Sequence, residues 1–187
     1  MFPILETERL LLKEITHQDS DKIYTIFSNE NVTRFYGQDN LKSGEQADQI
    51  VEFFSKNYRE KRGIRWWIVR KDIGGLIGTI GYNNWSAKHK RAEIGYELHP
   101  DFWGYGYAKE AVLKVISYGF SELGLTRIGA IVFLENENSN RLLKSIGFKQ
   151  EGILKDYMYQ NGQAYDTYIY ALLKEDKERK IQWLLHF

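Results

Sequence analysis

"HPDFWGYGYAKEAVLKVISYGF", residues 99–120, sets two glycines among bulky aromatics directly ahead of a helical pattern. A segment that only packs would fill those places with side chains. A helix N-terminus offers unpaired N–H groups and a partial positive charge, and glycine lets an anion come close to them. Gly104 and Gly106, followed by a helix expected from Tyr107 to about residue 122, therefore have the makings of a phosphate cradle. Charge-assisted hydrogen bonds of this type are worth about 1.5 to 3 kcal/mol each, so three or four hold a diphosphate with no lysine beneath it. The competing reading is a tight turn with both glycines at positive φ and Trp103 packed beneath. A dinucleotide fingerprint needs Gly or Ala where Lys109 stands, and no G-x-x-x-x-G-K-[ST] loop occurs.

Outward from this stretch the chain alternates strand and helix. Strands are expected at 9–15 (RLLLKEI), in a hairpin of IRWWIVRK and GLIGTIGYNNW joined through Lys71 to Gly74, and at RAEIGYELH just before the glycines. A helix opened by Thr16, with Asp19 in its first turn, and a second over SGEQADQIVEFFSKNYREK lie between them. Ile50, Phe53, Phe54 and Tyr58 share one face of that second helix. After the helix at 107 come the strand RIGAIVFL, the helix ENSNRLLKSIG, and two strands around QNGQ. The fold class is α/β, or α+β, with one mixed sheet. No linker or repeat divides the 187 residues, so residues 1–187 read as a single domain.

Composition narrows the chemistry. Lys and Arg number 26 against 25 Asp and Glu, so no strong field favours nucleic acid or an anionic membrane. There is no cysteine, which removes disulfides, thiolate metal sites and a protein thiol nucleophile. The four histidines are scattered without metal spacing, and no metal is expected. No signal-like or membrane-length apolar run occurs, and the expectation is a cytoplasmic protein. The tail from residue 174 turns from charged to apolar. Its Ile181, Trp183, Leu184, Leu185 and Phe187 are expected to pack on the domain or to meet a second copy in a homodimer.

Period two along "AEIGYEL" puts Glu93, Gly95 and Glu97 on one face and Ile94, Tyr96 and Leu98 on the other. A strand that packs on the core with one side would hardly need two carboxylates on the other, and a solvated or salt-bridged role is open to each.

LETERLLLKEI, AEIGYELHPDFWGYGYAKEAVLKVISYGF, LGLTRIGAIVFLENENSNRLLKSIGFKQEG and NGQAYDTYIYALL, in this order, resemble the GCN5-related N-acetyltransferases. The similarity is greatest to the branch holding the ribosomal-protein N-terminal alanine and serine acetyltransferases, and it covers about residues 5–173. It implies a strongly twisted mixed sheet of about seven strands whose fourth and fifth splay, with acetyl-CoA wedged between them. The pyrophosphate motif Q/R-x-x-G-x-G/A falls on Asp101 to Gly106, with Asp in place of Gln or Arg. Cofactor contacts are implied for Leu98, Phe102, Trp103, Gly104, Tyr105, Gly106, Tyr107 and Ala108, and for Asn136 and Ser139 of the N-x-x-S motif. Arg141 and Lys144 are candidates for the adenosine 3′-phosphate, against the alternative of a solvated basic face.

The resemblance also implies that the Ser139 hydroxyl lies near the thioester sulfur, where it can stabilise a leaving thiolate; a helix-capping serine is the alternative. It implies an amine acceptor, a protein N-terminus or a small amine such as a polyamine, antibiotic or amino acid, attacking the thioester directly, and a Glu on the AEIGYEL strand that relays the amine proton, Glu93 being the first candidate and Glu97 the second. A non-catalytic acyl-CoA sensor is the reading from another class. Met158 stands where a relative carries a Glu proposed to act on the amine, and Asp156 shares its face only if the strand is regular. Of the aromatics, Tyr82, Trp85, Tyr157 and Tyr159 are candidate acceptor contacts, and core packing is the competing explanation.

Overall fold

The computed structural model describes residues 1–177. The apolar residues from Ile181 to Phe187 lie outside this range. One eight-stranded sheet runs through the molecule in the order β1-β2-β3-β4-β5-β6-β8-β7. Its strands are β1 (Leu5–Glu6), β2 (Leu10–Glu14), β3 (Ile64–Arg70), β4 (Leu76–Ser86), β5 (Arg91–Leu98), β6 (Arg127–Phe133), β7 (Lys149–Gln160) and β8 (Gln163–Leu173). All neighbours are antiparallel except β5 and β6. The eighth strand, beyond the seven expected, is the two-residue β1.

Helices cover both faces. Helix α4 (Tyr107–Ser121) and α5 (Glu137–Ile146) lie on one, and α1 (Ser20–Phe27), the short α2 (Glu30–Thr33) and α3 (Gly44–Arg59) on the other. Strand β3 reads as an almost unbroken apolar run because it is buried on both sides: Trp66 and Trp67 are each 0 % exposed, facing opposite helical layers. Helix α4 buries Val112, Val115, Ile116 and Phe120, each worth about 1.5 to 3 kcal/mol in transfer from water. The β7 and β8 hairpin turns through Asn161 and Gly162 at φ 52° and 77°, the backbone that an Asn-Gly pair favours.

Two local expectations shift. The segment after Thr16 is a 3-10 turn (His17–Asp19) leading into α1, and the Asp19 carboxylate accepts from both the Thr16 amide and its hydroxyl at 3.0 Å. On α3 the buried row is Ala47, Val51 and Phe54, because α1 packs against that row; Phe53 is 53 % exposed.

Glycines on the α3 side of the sheet are spatial requirements. A Cβ on Gly81 would lie 2.1 Å from the Ile64 carbonyl oxygen and 2.8 Å from Arg65 Cα and Cδ. Gly81→Ala is therefore expected to destabilise the fold by about 1 to 3 kcal/mol. Urea unfolding checks this, and an unchanged midpoint would show that the sheet absorbs the methyl without cost.

Candidate active site

Pairing between β5 and β6 lasts three residues, Arg91 with Arg127 to Glu93 with Gly129, and then stops. From Ile94 to Leu98 on β5 and Ala130 to Phe133 on β6 the strands diverge, leaving alternate backbone groups of each facing a gap. Because the two strands are parallel, their C-terminal ends open at the same edge. The N-termini of α4 and α5, which follow them, flank the mouth of the gap.

At the α4 terminus Gly104 and Gly106 have φ of +83° and +81°. Nothing lies within 4 Å of a Cβ built on Gly104. The glycine is required by its backbone conformation, and the space over the loop is open. The Trp103 indole donates to the Leu98 carbonyl at 2.9 Å and fixes the loop to the end of β5. Leu98 and Tyr107 are core side chains, so only their backbones can serve a ligand, whereas Tyr105 is exposed.

Arg9 and Glu110, 101 residues apart, clasp this loop. Arg9 donates from Nε to Glu110 at 2.7 Å and from Nη1 to the Tyr105 carbonyl at 3.0 Å. The same Glu110 accepts from the Thr7 hydroxyl at 2.6 Å. Burial pushes the Glu110 pKa up, but these hydrogen bonds and the Arg9 charge outweigh it, and the net shift is downward. Arg70, held by both oxygens of Asp72, lies 5.3 Å from the Tyr107 ring and is a second arginine near the terminus. The distance along the chain hid both arginines from sequence reasoning.

At the α5 terminus the cap is Asn136, whose side chain accepts from the Ser139 amide at 3.2 Å. Ser139 is not the cap, and its hydroxyl is free of that duty. Tyr96 extends from β5 to stand beside it. The phenol is buried with no well-formed hydrogen bond, and burial pushes its pKa up to about 12, with the Ser139 hydroxyl acting in the opposite sense. Asn140, unremarked in the sequence, anchors the helix by donating to the Phe133 and Leu134 carbonyls and accepting from Tyr170. Arg141 bonds Asn138, Lys144 sits 6.0 Å from the Tyr168 ring, and both are exposed.

A cleft of about 840 Å³ opens on the α3 side of the sheet beside the point where β5 and β6 part. Its floor carries Asn83, Asn84 and Glu93, and its walls include Tyr36, Phe53, Asn57, Trp85, Tyr157 and Met158. The Glu93 carboxylate accepts from Asn84 Nδ2 at 2.9 Å and packs over Gly129, where a Cβ would meet Glu93 Cγ at 3.4 Å. Asn84 reaches it from a bulge in β4, at φ 49°.

Glu97 has a different fate. It is buried and paired with Arg65, whose guanidinium also donates to the Thr79 hydroxyl at 3.0 Å and the Gly95 carbonyl at 3.2 Å. Burial opposes the charge on Arg65, but Glu97 outweighs it and the Arg65 pKa is raised. The Thr79 hydroxyl donates to Glu97 at 2.7 Å as well. Glu97 is thus committed to structure, a correction to its candidacy as a base.

Tyr82 is also removed from the acceptor contacts. It is 1 % exposed, on the α4 face, and donates to the Val115 carbonyl at 2.8 Å beneath Gly119. Tyr159 is exposed on β7 and does not line the cleft. The strand around Met158 is irregular: the register shifts between Leu154 and Met158, Asp156 has φ 49°, and its amide donates to Asp166. The bulge leaves Met158 in the cleft wall and Asp156 outside it. Buried Gln160, also missed, ties this hairpin to the loop after α2 by donating to the Thr33 carbonyl at 2.8 Å and accepting from the Gly37 amide at 3.0 Å.

A family model described as an acetyltransferase (GNAT) domain matches residues 9–149. The chain belongs to the GNAT family of acetyltransferases. It is 57 % identical to the uncharacterized N-acetyltransferase YoaA of Bacillus subtilis, over 93 % of this chain and 98 % of that protein. Identity to the uncharacterized N-acetyltransferase p20 of Bacillus licheniformis is 38 %, over 92 % and 97 % of the two chains. The crystal structure of a GNAT-family acetyltransferase from Bacillus anthracis superposes with a TM-score of 0.79 at 28 % identity, over 92 % of this chain and 99 % of that one.

The protein is an N-acetyltransferase of the GNAT type that uses acetyl-CoA. Its splayed pair is β5 and β6 because β1 adds one to the strand count. No described helix is long and apolar enough to cross a membrane.

The Arg9 and Glu110 clasp makes the loop ahead of α4 acid-sensitive. A carboxylate whose folded pKa lies below its ordinary 4.5 adds stability above that value and loses it as the pH falls through the folded pKa. Thermal denaturation of wild type and Glu110→Gln between pH 3 and 6 is expected to show the difference in stability shrinking toward pH 3. A constant difference across the range would show that the Glu110 charge does not matter.

Proposed function

We propose that this N-acetyltransferase acetylates the α-amine at the N-terminus of a peptide or protein, by direct attack in a ternary complex. The amides at the α4 terminus, around Gly104 and Gly106, bind the donor's pyrophosphate. The open loop and the two supporting arginines favour that fit. Unpaired backbone of the gap, with Asn136 and the α5 terminus, takes the pantetheine arm. The donor supplies an activated acetyl carbonyl to the attacking amine. Ser139, with Tyr96 behind it, provides the hydroxyl that receives the thiolate as the carbon–sulfur bond breaks.

One observation carries the choice of acceptor: among the described residues Glu93 is the single carboxylate lining the cleft, because Glu97 is consumed by Arg65 and Thr79. An α-amine of pKa about 7.8 is roughly a tenth neutral at pH 7, whereas a lysine amine near 10.4 is neutral less than one part in a thousand. A site with one carboxylate, acting through water, suits the amine that needs the least deprotonation. The amine proton leaves through Glu93 to solvent, and the products are the N-acetylated acceptor and coenzyme A.

Two peptides of the same length test the assignment, one with a free N-terminus and no lysine, the other with a blocked N-terminus and one lysine. Mass spectrometry is expected to find acetyl only on the first. Acetylation of the lysine peptide alone would overturn the reading. Ser139→Ala is expected to lower kcat by about tenfold or more while acetyl-CoA affinity measured by calorimetry stays within about twofold. An unchanged kcat would remove Ser139 from the chemistry.

A further inference from the structure

The cleft in which that acceptor is placed has an uneven charge. Arg62 enters from the turn after α3 and Arg91 from the start of β5, and against these two guanidiniums stands one carboxylate, Glu93, already held by Asn84. The Arg91 side chain forms no ion pair or hydrogen bond among the described residues, while its backbone is held in the sheet. Its neighbour in register on β6, Arg127, is by contrast held by both oxygens of Glu151 at 2.8 and 2.5 Å. Arg62, itself well exposed, pairs with Glu60 at 3.2 Å. Its backbone is fixed, with the carbonyl accepting from the Trp85 amide at 2.8 Å and the amide donating to Asn57 at 2.9 Å. The cleft therefore holds, in Arg91, a cation with no partner among the described residues, and a polycationic amine entering it would meet that charge.

We propose that the acceptor bears an anionic group close to its reactive amine, and that Arg91 and Arg62 bind this group. The proposal rests on the cleft being the acceptor site. The geometry also sets the spacing. Arg91 precedes Glu93 by two residues on an extended strand, about 6 to 7 Å, and the amine must reach the gap that opens just beyond Glu93. The anion then falls roughly 6 to 10 Å from the amine. In an extended peptide, at about 3.3 Å per residue, that is a side chain at the second or third position. A small amino acid with an acidic side chain presents the same pair of groups over a shorter span. Arginine suits the task because its planar fork takes a carboxylate with two hydrogen bonds.

The test uses the full chain with acetyl-CoA and measures coenzyme A release. Three peptides share an N-terminal alanine and differ at the second and third positions, which are acidic, neutral amide or lysine. Glutamate and spermidine serve as small acceptors. The expected result is a kcat/KM for the acidic peptide at least tenfold above that for the lysine peptide, falling toward parity at high salt as screening grows. Arg91→Glu, an exposed substitution, is expected to invert the order.

Acetylation of glutamate with little on any peptide would keep the anionic chemistry and assign it to a small molecule. Equal rates across the peptides, a preference for lysine or spermidine, or an order unmoved by Arg91→Glu would overturn the proposal while leaving N-terminal acetylation standing. Bound acetyl-CoA with no transfer to any of these amines would remove the cleft as an acceptor site and the proposal with it.

Discussion

Everything at this site follows from a ladder that ends early. Strands β5 and β6 share three residue pairs and then separate, although both continue for several residues more. Backbone N–H and C=O groups that leave a ladder in the interior need another partner. The gap is therefore a slot whose walls carry backbone groups that have left the ladder, the kind of edge on which an extended chain can lie as a substitute strand. A pantetheine arm, with its two amides, is such a chain. The parallel direction of the two strands then brings both following helices to the same mouth, so one topological feature supplies the slot and the positive helix ends beside it.

The sheet's two faces share out the work. On the α4 face, Tyr82, Ile94 and Leu98 form ordinary core, and Tyr96 alone among them carries a buried hydroxyl with no well-formed bond. On the α3 face, Gly81 and Gly95 remove the side chains that would block Arg65, whose guanidinium crosses β4 to reach Glu97 on β5. A buried pair of this kind adds little stability over an apolar isostere, yet removing one partner alone is costly, about 3 to 5 kcal/mol. Its consequence for the site is selective: it keeps Glu97 out of the cleft, whose described lining has Glu93 as its carboxylate.

The sequence made the strands, the long α4 helix and the glycine turn that opens it legible because each is a local pattern. Period two sorted Glu93 and Glu97 from Tyr96, and the glycines at 104 and 106 marked the turn whose positive φ the structure shows. What stayed hidden was non-local. Arg65 and Glu97 are 32 residues apart, and nothing in "IRWWIVR" tells that its arginine lies across glycines of the next strand. Arg9 and Gln160 act over still longer separations, 101 and 127 residues, through contacts that only the folded sheet creates. Tyr82 failed for another reason: an aromatic next to polar residues fits a cleft or a core equally well until the register fixes its face.

The charge of the cleft also bears on what the base must do. An acceptor whose anion pairs with Arg91 arrives with its ammonium close to Glu93, and both the carboxylate and the anion favour the protonated amine. Arg62 and Arg91 act in the opposite sense, since a cation near an ammonium lowers its pKa. Once the acceptor's anion is neutralised by the arginines, Glu93 is the remaining charge that holds the proton, and it is also the group to which the proton can move. Binding and deprotonation are then set by the same three side chains, and the cleft requires no second carboxylate.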